Sequence, residues 1–157
     1  MSPSEQTLTR IAQLSTKLNA ETEELNAVIR DLDKRLDATK IGVAVWSGRI
    51  VDVSSTVEWN DDEERDVTLS KGWELGYAKV DDQWALAVKP QQGTDEPDER
   101  SNIPVTTWVD AGEPIRLLKA ARIVRVEAAP HLESVLELIA ERAAKYIEDI
   151  EKAKRLA

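Results

Sequence analysis

Residues Gly72 to Lys89, GWELGYAKVDDQWALAVK, hold two of the chain's five tryptophans and one of its two tyrosines in a stretch that reads as a hairpin. With Asp81-Asp82 as a two-residue turn, Lys79 faces Trp84, Tyr77 faces Leu86 and Leu75 faces Val88. Trp73, Leu75, Tyr77, Trp84, Leu86 and Val88 then share one face. Gly76, Ala78, Val80, Ala85 and Ala87 share the other, with a Glu74–Lys89 cross-strand pair. A three-residue turn would pair Trp84 with Val80 and mix large with small side chains on both faces. The clean segregation therefore selects the two-residue register. Aromatic side chains at sheet spacing are core before they are a binding site. The small face admits either a close helix backbone or a flat ligand. Lys79 is expected over the Trp84 ring.

Period-two patterning continues on both sides of the hairpin. Ile41, Val43 and Val45 alternate with Gly42, Ala44 and Trp46; Ser47-Gly48 reads as a turn, and Arg49 to Val53 as a return strand that Val57 to Trp59 extends. Asn60 to Glu64 is an acidic loop, and Val67 and Leu69 begin the strand leading into Trp73. No aliphatic or aromatic residue lies between Val88 and Ile103, so 91–102 reads as a mobile polar loop. Ile103 to Val109 gives one more strand. Residues 41–109 are thus expected to form an antiparallel β region.

Outside it the period lengthens. Ile11, Leu18, Leu25 and Leu32 recur every seven residues, and Leu8, Ser15, Thr22, Ile29 and Leu36 form the companion row. This predicts a helix over 4–37, capped by Ser4, roughly 50 Å long and striped for packing on another helix. At the other end, Leu132, Ile139, Tyr146 and Ala153 form one row and Leu136, Ala143, Ile150 and Ala157 a second, predicting a helix over 130–156. Residues 113–128 read as a further helix opening at Pro114, against a competing strand at the β-branched Ile123 to Val126.

The expected fold is α+β, in one domain spanning residues 1–157. A small antiparallel sheet of four to six strands is covered by helices, and the long terminal helices form an antiparallel coiled-coil-like pair. In layout, long helix, antiparallel strands and long helix, the chain resembles prefoldin-type chaperone subunits. Its middle region is far larger than that family's short hairpins, no motif residue corresponds, and no function is carried over.

Composition bounds the chemistry. The net charge of −9 removes a whole-molecule basic field for nucleic acid or anionic lipid. The absence of cysteine excludes disulfides, thiolate nucleophiles and Cys-based zinc sites. No signal-peptide pattern and no apolar run of membrane-spanning length occur, which predicts a cytoplasmic protein off the membrane. His131, the only histidine, opens the last helix without a G-x-S-x-G partner motif. No P-loop or dinucleotide fingerprint is present, and neither acidic run, 61–64 or 95–99, has calcium-loop spacing. No cofactor, metal or catalytic residue is expected.

What remains are candidate recognition residues. Arg116, Lys119, Arg122 and Arg125 recur every three residues and would form a band on a helix, for an acidic partner, a phosphate backbone or acidic side chains of the same chain. Trp59 adjoins Asp61 and Asp62, the pattern of an aromatic interface anchor beside charge. The expected function is a non-catalytic protein–protein interaction module, an adaptor, inhibitor or regulatory subunit of a bacterial-type cytoplasm. It would bind a protein partner and could form a homodimer through the terminal helices. The alternative is a small-molecule-binding protein or enzyme with its site at the sheet–helix junction, against the small hairpin face. Nucleic-acid binding through the Arg116–Arg125 band ranks third.

Overall fold

The structure, a computed structural model, describes residues 2–97, 100 and 103–157. In chain order the elements are α1 (Pro3–Thr39), β1 (Val45–Asn60), β2 (Arg65–Val80), β3 (Gln83–Pro97), β4 (Pro104–Asp110), β5 (Ile115–Arg116), a 3-10 turn (Leu117–Lys119), α2 (Arg122–Ala128), a second 3-10 turn (Ala129–His131) and α3 (Leu132–Lys154). The architecture is α+β. The antiparallel sheet has the order β1-β2-β3-β4, and β5 adds to the free stretch of β3.

The central hairpin has the register its side chains dictate. Lys79 pairs with Trp84, Tyr77 with Leu86, Leu75 with Val88 and Glu74 with Lys89. Asp81 and Asp82 both take positive φ, 50° and 64°, as a type I′ turn requires. The large face is the floor of the core. Leu75, Tyr77, Leu86 and Val88 pack with Val45 and Val51 of β1, Ile29 of α1, Leu117, Val124 of α2, and Leu132, Val135 and Ile139 of α3. Trp84 stacks on Tyr77 with ring centroids 5.6 Å apart. The cation over a ring is Lys89 on Trp46, 4.4 Å from the centroid, rather than Lys79 on Trp84.

Several local expectations are corrected. The α1 cap is Ser2, not Ser4. Ser2 Oγ accepts the Glu5 N–H and Glu5 Oε2 accepts the Ser2 N–H, a capping box, with Pro3 in the first turn. Residues 41–44 are not strand, and Ser47-Gly48 does not reverse the chain. β1 is one long strand that slips register twice, between Trp46 and Ile50 and between Val51 and Ser54, absorbing Gly48 at φ 74° and Asp52 at φ 52° as bulge-like irregularities. The polar 91–97 stretch is strand, paired with β4 throughout and with β2 as far as Thr94. Pairing through the backbone needs no apolar side chain, so hydropathy carries no sign of it. Residues 98, 99, 101 and 102 of the expected loop lie outside the described residues. The expected 113–128 helix begins as β5 and a 3-10 turn, and only 122–128 is α-helical. Its β-branched residues do not make it a strand, because Val124 and Ala128 bury together on a helical period.

The two terminal helices form, but the structure does not show them as a coiled-coil pair. α1 packs on β3, the 117–119 turn and α2, whereas α3 packs on β1 and β2. On α1 only Thr22, Asn26 and Ile29 are fully buried, with Leu25, Leu32 and Leu36 partly so.

Candidate interaction surfaces

Asn19, Asn26 and Asp33 of α1 stand seven residues apart and so lie along one side of the helix. Basic residues of the expected band lie against this row, on amides rather than on the acidic side chains of the chain. Arg122 Nη1 donates to Asn19 Oδ1 at 2.7 Å, and Arg125 Nη1 donates to Asn26 Oδ1. Arg116 Nη2 donates to Gln83 Oε1 at 2.7 Å, beside Asp33. Asp33 Oδ1 in turn accepts the Leu86 N–H at 2.8 Å, closing a stretch of β3 edge that no strand covers. Burial pushes the Asp33 carboxyl above the ordinary aspartate range; the Leu86 N–H and the Arg116 charge pull it back. Arg116, Arg122 and Arg125 thus fasten β5 and α2 to the chain; Arg116 and Arg125 are partly buried, while Arg122 and Lys119 are exposed.

Trp59 ends β1 and is 61% exposed. Asp61 and Asp62 follow in the exposed turn, where Asn60 Oδ1 accepts the Asp62 and Glu63 N–H groups at 2.9 and 3.1 Å. These three residues do come together, at the tip of the β1–β2 hairpin. They are not brought to the basic residues. Trp59 pairs with Asp66 at one end of β2, while Arg116 sits by Gln83, the partner of Val80 at the other. Along β2 that separation is roughly 45 Å.

The small face of the hairpin is covered from within the sheet. Trp46 pairs with Gly76, and its ring lies where a Gly76 side chain would be, packed on Ala78, Val80 and Ala87. Lys89 caps that ring and pairs with Glu74 at 3.5 Å and Asp110 at 3.2 Å. Gln91 Nε2 donates to Asp110 Oδ1 at 2.6 Å, and this bond, with Lys89, holds the Asp110 carboxyl below its ordinary range. Further out, Trp108 repeats the arrangement over its partner Gly93. The space a flat ligand would need on the small face is therefore filled by an indole.

Among the cavities that border the core side are these two. One, of about 120 Å³, lies between the end of α1 and the hairpin, lined by Asp37, Lys40, Gly42, Tyr77 and Trp84. The Tyr77 hydroxyl is buried without a hydrogen-bond partner among the described residues, and a water in this cavity would satisfy it. Burial raises the Tyr77 phenol above its ordinary range, and the Asp37 and Asp33 charges add to the rise. The other is an open polar trough of about 510 Å³ lined by Ser54, Thr56, Glu58, Lys71, Gln92 and Thr94. Among the described residues, no group of three or more His, Asp or Glu side chains could hold a metal ion. No described helix is long and apolar enough to cross a membrane.

The heptad stripe, expected to pack on a helix of the same chain or of a second copy, leaves an apolar surface uncovered at the start of α1. Leu8, Ile11, Leu14 and Leu18 are 64, 55, 51 and 45% exposed, though three of them continue the seam that Thr22, Leu25 and Ile29 bury. Ile11, Leu14 and Leu18 line an open groove with Ser15, Lys17 and Glu21. α3 ends in the same way, with Tyr146, Ile147 and Ile150 exposed. Comparison with protein-family models, with curated proteins and with solved structures finds no match to this chain.

Proposed function

We propose that this protein is a non-catalytic interaction module that takes an amphipathic helix of a partner protein on the free half of α1. One observation carries the reading. The seam is continuous in sequence, yet its C-terminal half is seated on the protein's own core while Leu8, Ile11 and Leu18 project uncovered, with Leu14 beside them. Projecting apolar residues at heptad spacing fit helix-in-groove or coiled-coil recognition. Residues 3–21 extend roughly 28 Å, enough for a stable contact with one partner helix. The net charge of −9 supports a partner of opposite sign, such as the target of an adaptor or regulatory subunit.

The test is capture from an extract at low salt, comparing the natural chain with a variant carrying Leu8→Gln, Ile11→Gln, Leu14→Gln and Leu18→Gln. Gln keeps helix propensity, and the four positions are exposed, so the variant is expected to fold normally. A stoichiometric protein held by the natural chain and lost by the variant is the expected result. Retention of the same protein by both would refute the α1 reading. The free ends of the two helices also support a homodimer as a second reading; loss of a dimer in the variant would favour it.

A further inference from the structure

The edge of the sheet at β4 stands apart from the other strands. From Pro104 to Val109 it carries no charge, and Val105, Thr106, Thr107 and Val109 are exposed. Natural sheets guard such edges with charges, bulges or covering segments. β1, the opposite edge, has its two register slips and Glu58. β4 pairs with β3 without a slip from Gln91–Asp110 to Pro97–Pro104.

The direction of its backbone groups follows from one bond. Ala111 donates its N–H to the Pro90 carbonyl at 2.9 Å. In an unbroken antiparallel register alternate residues bond the same neighbour, so Val105, Thr107 and Val109 bond to β3. Thr106, Trp108 and Asp110 then aim their N–H and C=O groups away from the sheet, and Pro104 aims a carbonyl with no donor.

We propose that this edge pairs antiparallel with the same edge of a second copy of the chain, about a two-fold axis at Thr107. The strand is self-complementary in that register. Thr106 meets Trp108′ and Trp108 meets Thr106′, each pair exchanging both backbone bonds. Val105 lies opposite Val109′, an apolar β-branched pair. Asp110 lies opposite Pro104′, so no like charges meet, and the donor that Pro104 lacks is missing only at the outermost rung. About six inter-chain hydrogen bonds form. Both copies keep the same face of the sheet on the same side, because residues that pair sum to an even number. The two four-stranded ladders become one continuous sheet.

A second copy fits better than an extended peptide of charged character, because the strand offers such a peptide no charge to read. Thr107 and Thr107′ form a non-hydrogen-bonded pair, with Cα atoms about 4.5 Å apart, within disulfide range. The chain has no cysteine of its own, so Thr107→Cys adds a single reporter.

The experiment measures mass by sedimentation equilibrium and cross-linking on mild oxidation. The natural chain is expected at twice its 17.5 kDa mass. Thr107→Lys, at an exposed position, sets two ammonium groups face to face and is expected to weaken the dimer roughly tenfold or more with an unchanged circular dichroism spectrum. Thr107→Cys is expected to cross-link as a dimer, and Asp61→Cys, in the β1–β2 turn, is not. The four-fold Leu/Ile→Gln variant of α1 is expected to stay dimeric, which separates this interface from the helical one. A monomeric natural chain overturns the proposal. So does a dimer that Thr107→Lys leaves intact, or one that fails to cross-link through Thr107→Cys.

Discussion

A methyl group added at Gly76 would collide with the Val45 carbonyl and the Trp46 ring. One obstacle is backbone, so Gly76→Ala is expected to cost about 1–3 kcal/mol by urea denaturation, and Trp46→Ala is not expected to restore the loss. At Gly93 the nearest atoms belong to side chains, Thr106 and Trp108, so Trp108→Ala is expected to recover part of the cost of Gly93→Ala. Asp33 gives a pH prediction with a defined sign. Its folded pKa is raised, so its contribution is most favourable below the unfolded aspartate value and is lost as pH rises through the folded one. Asp33→Asn keeps an acceptor for the Leu86 N–H and removes that loss. It is expected to match or exceed the natural chain's stability at pH 7, whereas Asp33→Ala, which strands the N–H, is expected to lose about 1 kcal/mol. These pairings were partly legible in sequence. Size segregation between Trp73 and Val88 named the hairpin register because each face has a different job. That Trp46 would lie on Gly76 was not legible, since it depends on how β1 slips register.

At the scale of elements, the fastening of α2 to α1 separates buried from exposed polar contacts. Arg125 bonds Asn26, which is buried, while Arg122 bonds Asn19, which is exposed. Arg125→Ala is expected to lower stability by about 1–3 kcal/mol, because it leaves a buried amide unmatched. Arg122→Ala is expected to change it by less than about 0.5 kcal/mol. The three-residue spacing of these arginines predicts a band but leaves open whether it faces a partner or side chains of the same chain. The signal that points inward is on the other helix: Asn19, Asn26 and Asp33 share one heptad position beside the apolar seam. Neither pattern alone shows that the two meet. The seam itself predicted α1 almost to its ends, but a seam specifies only that something covers it. Whether the cover is α3, the sheet or another molecule is settled by tertiary packing that a periodicity does not encode. Likewise the 91–97 strand is held by its neighbours' backbones, and its side chains carry no strand pattern.

At the scale of the whole molecule, the core and the projecting parts divide cleanly. The buried large residues gather where α1, α2 and α3 meet the hairpin, and residues 2–18 contribute none of them. Deletion of residues 2–18 is therefore expected to lower the melting temperature by only a few degrees, measured by circular dichroism, while it abolishes partner capture. The opposite result, unfolding on deletion, would mean that the arm supports the core. The chain order of the sheet has a further consequence, for time. Each of the first four strands pairs with the strand next to it in sequence, so every ladder can zip from its own turn without waiting for a distant segment. Only the two chain ends must travel, because Ile29 and Val135 reach one core from opposite sides of the sequence. Closing that long loop is the slow, entropy-limited event, so Ile29→Val should retard refolding in stopped flow more than Val67→Ala does.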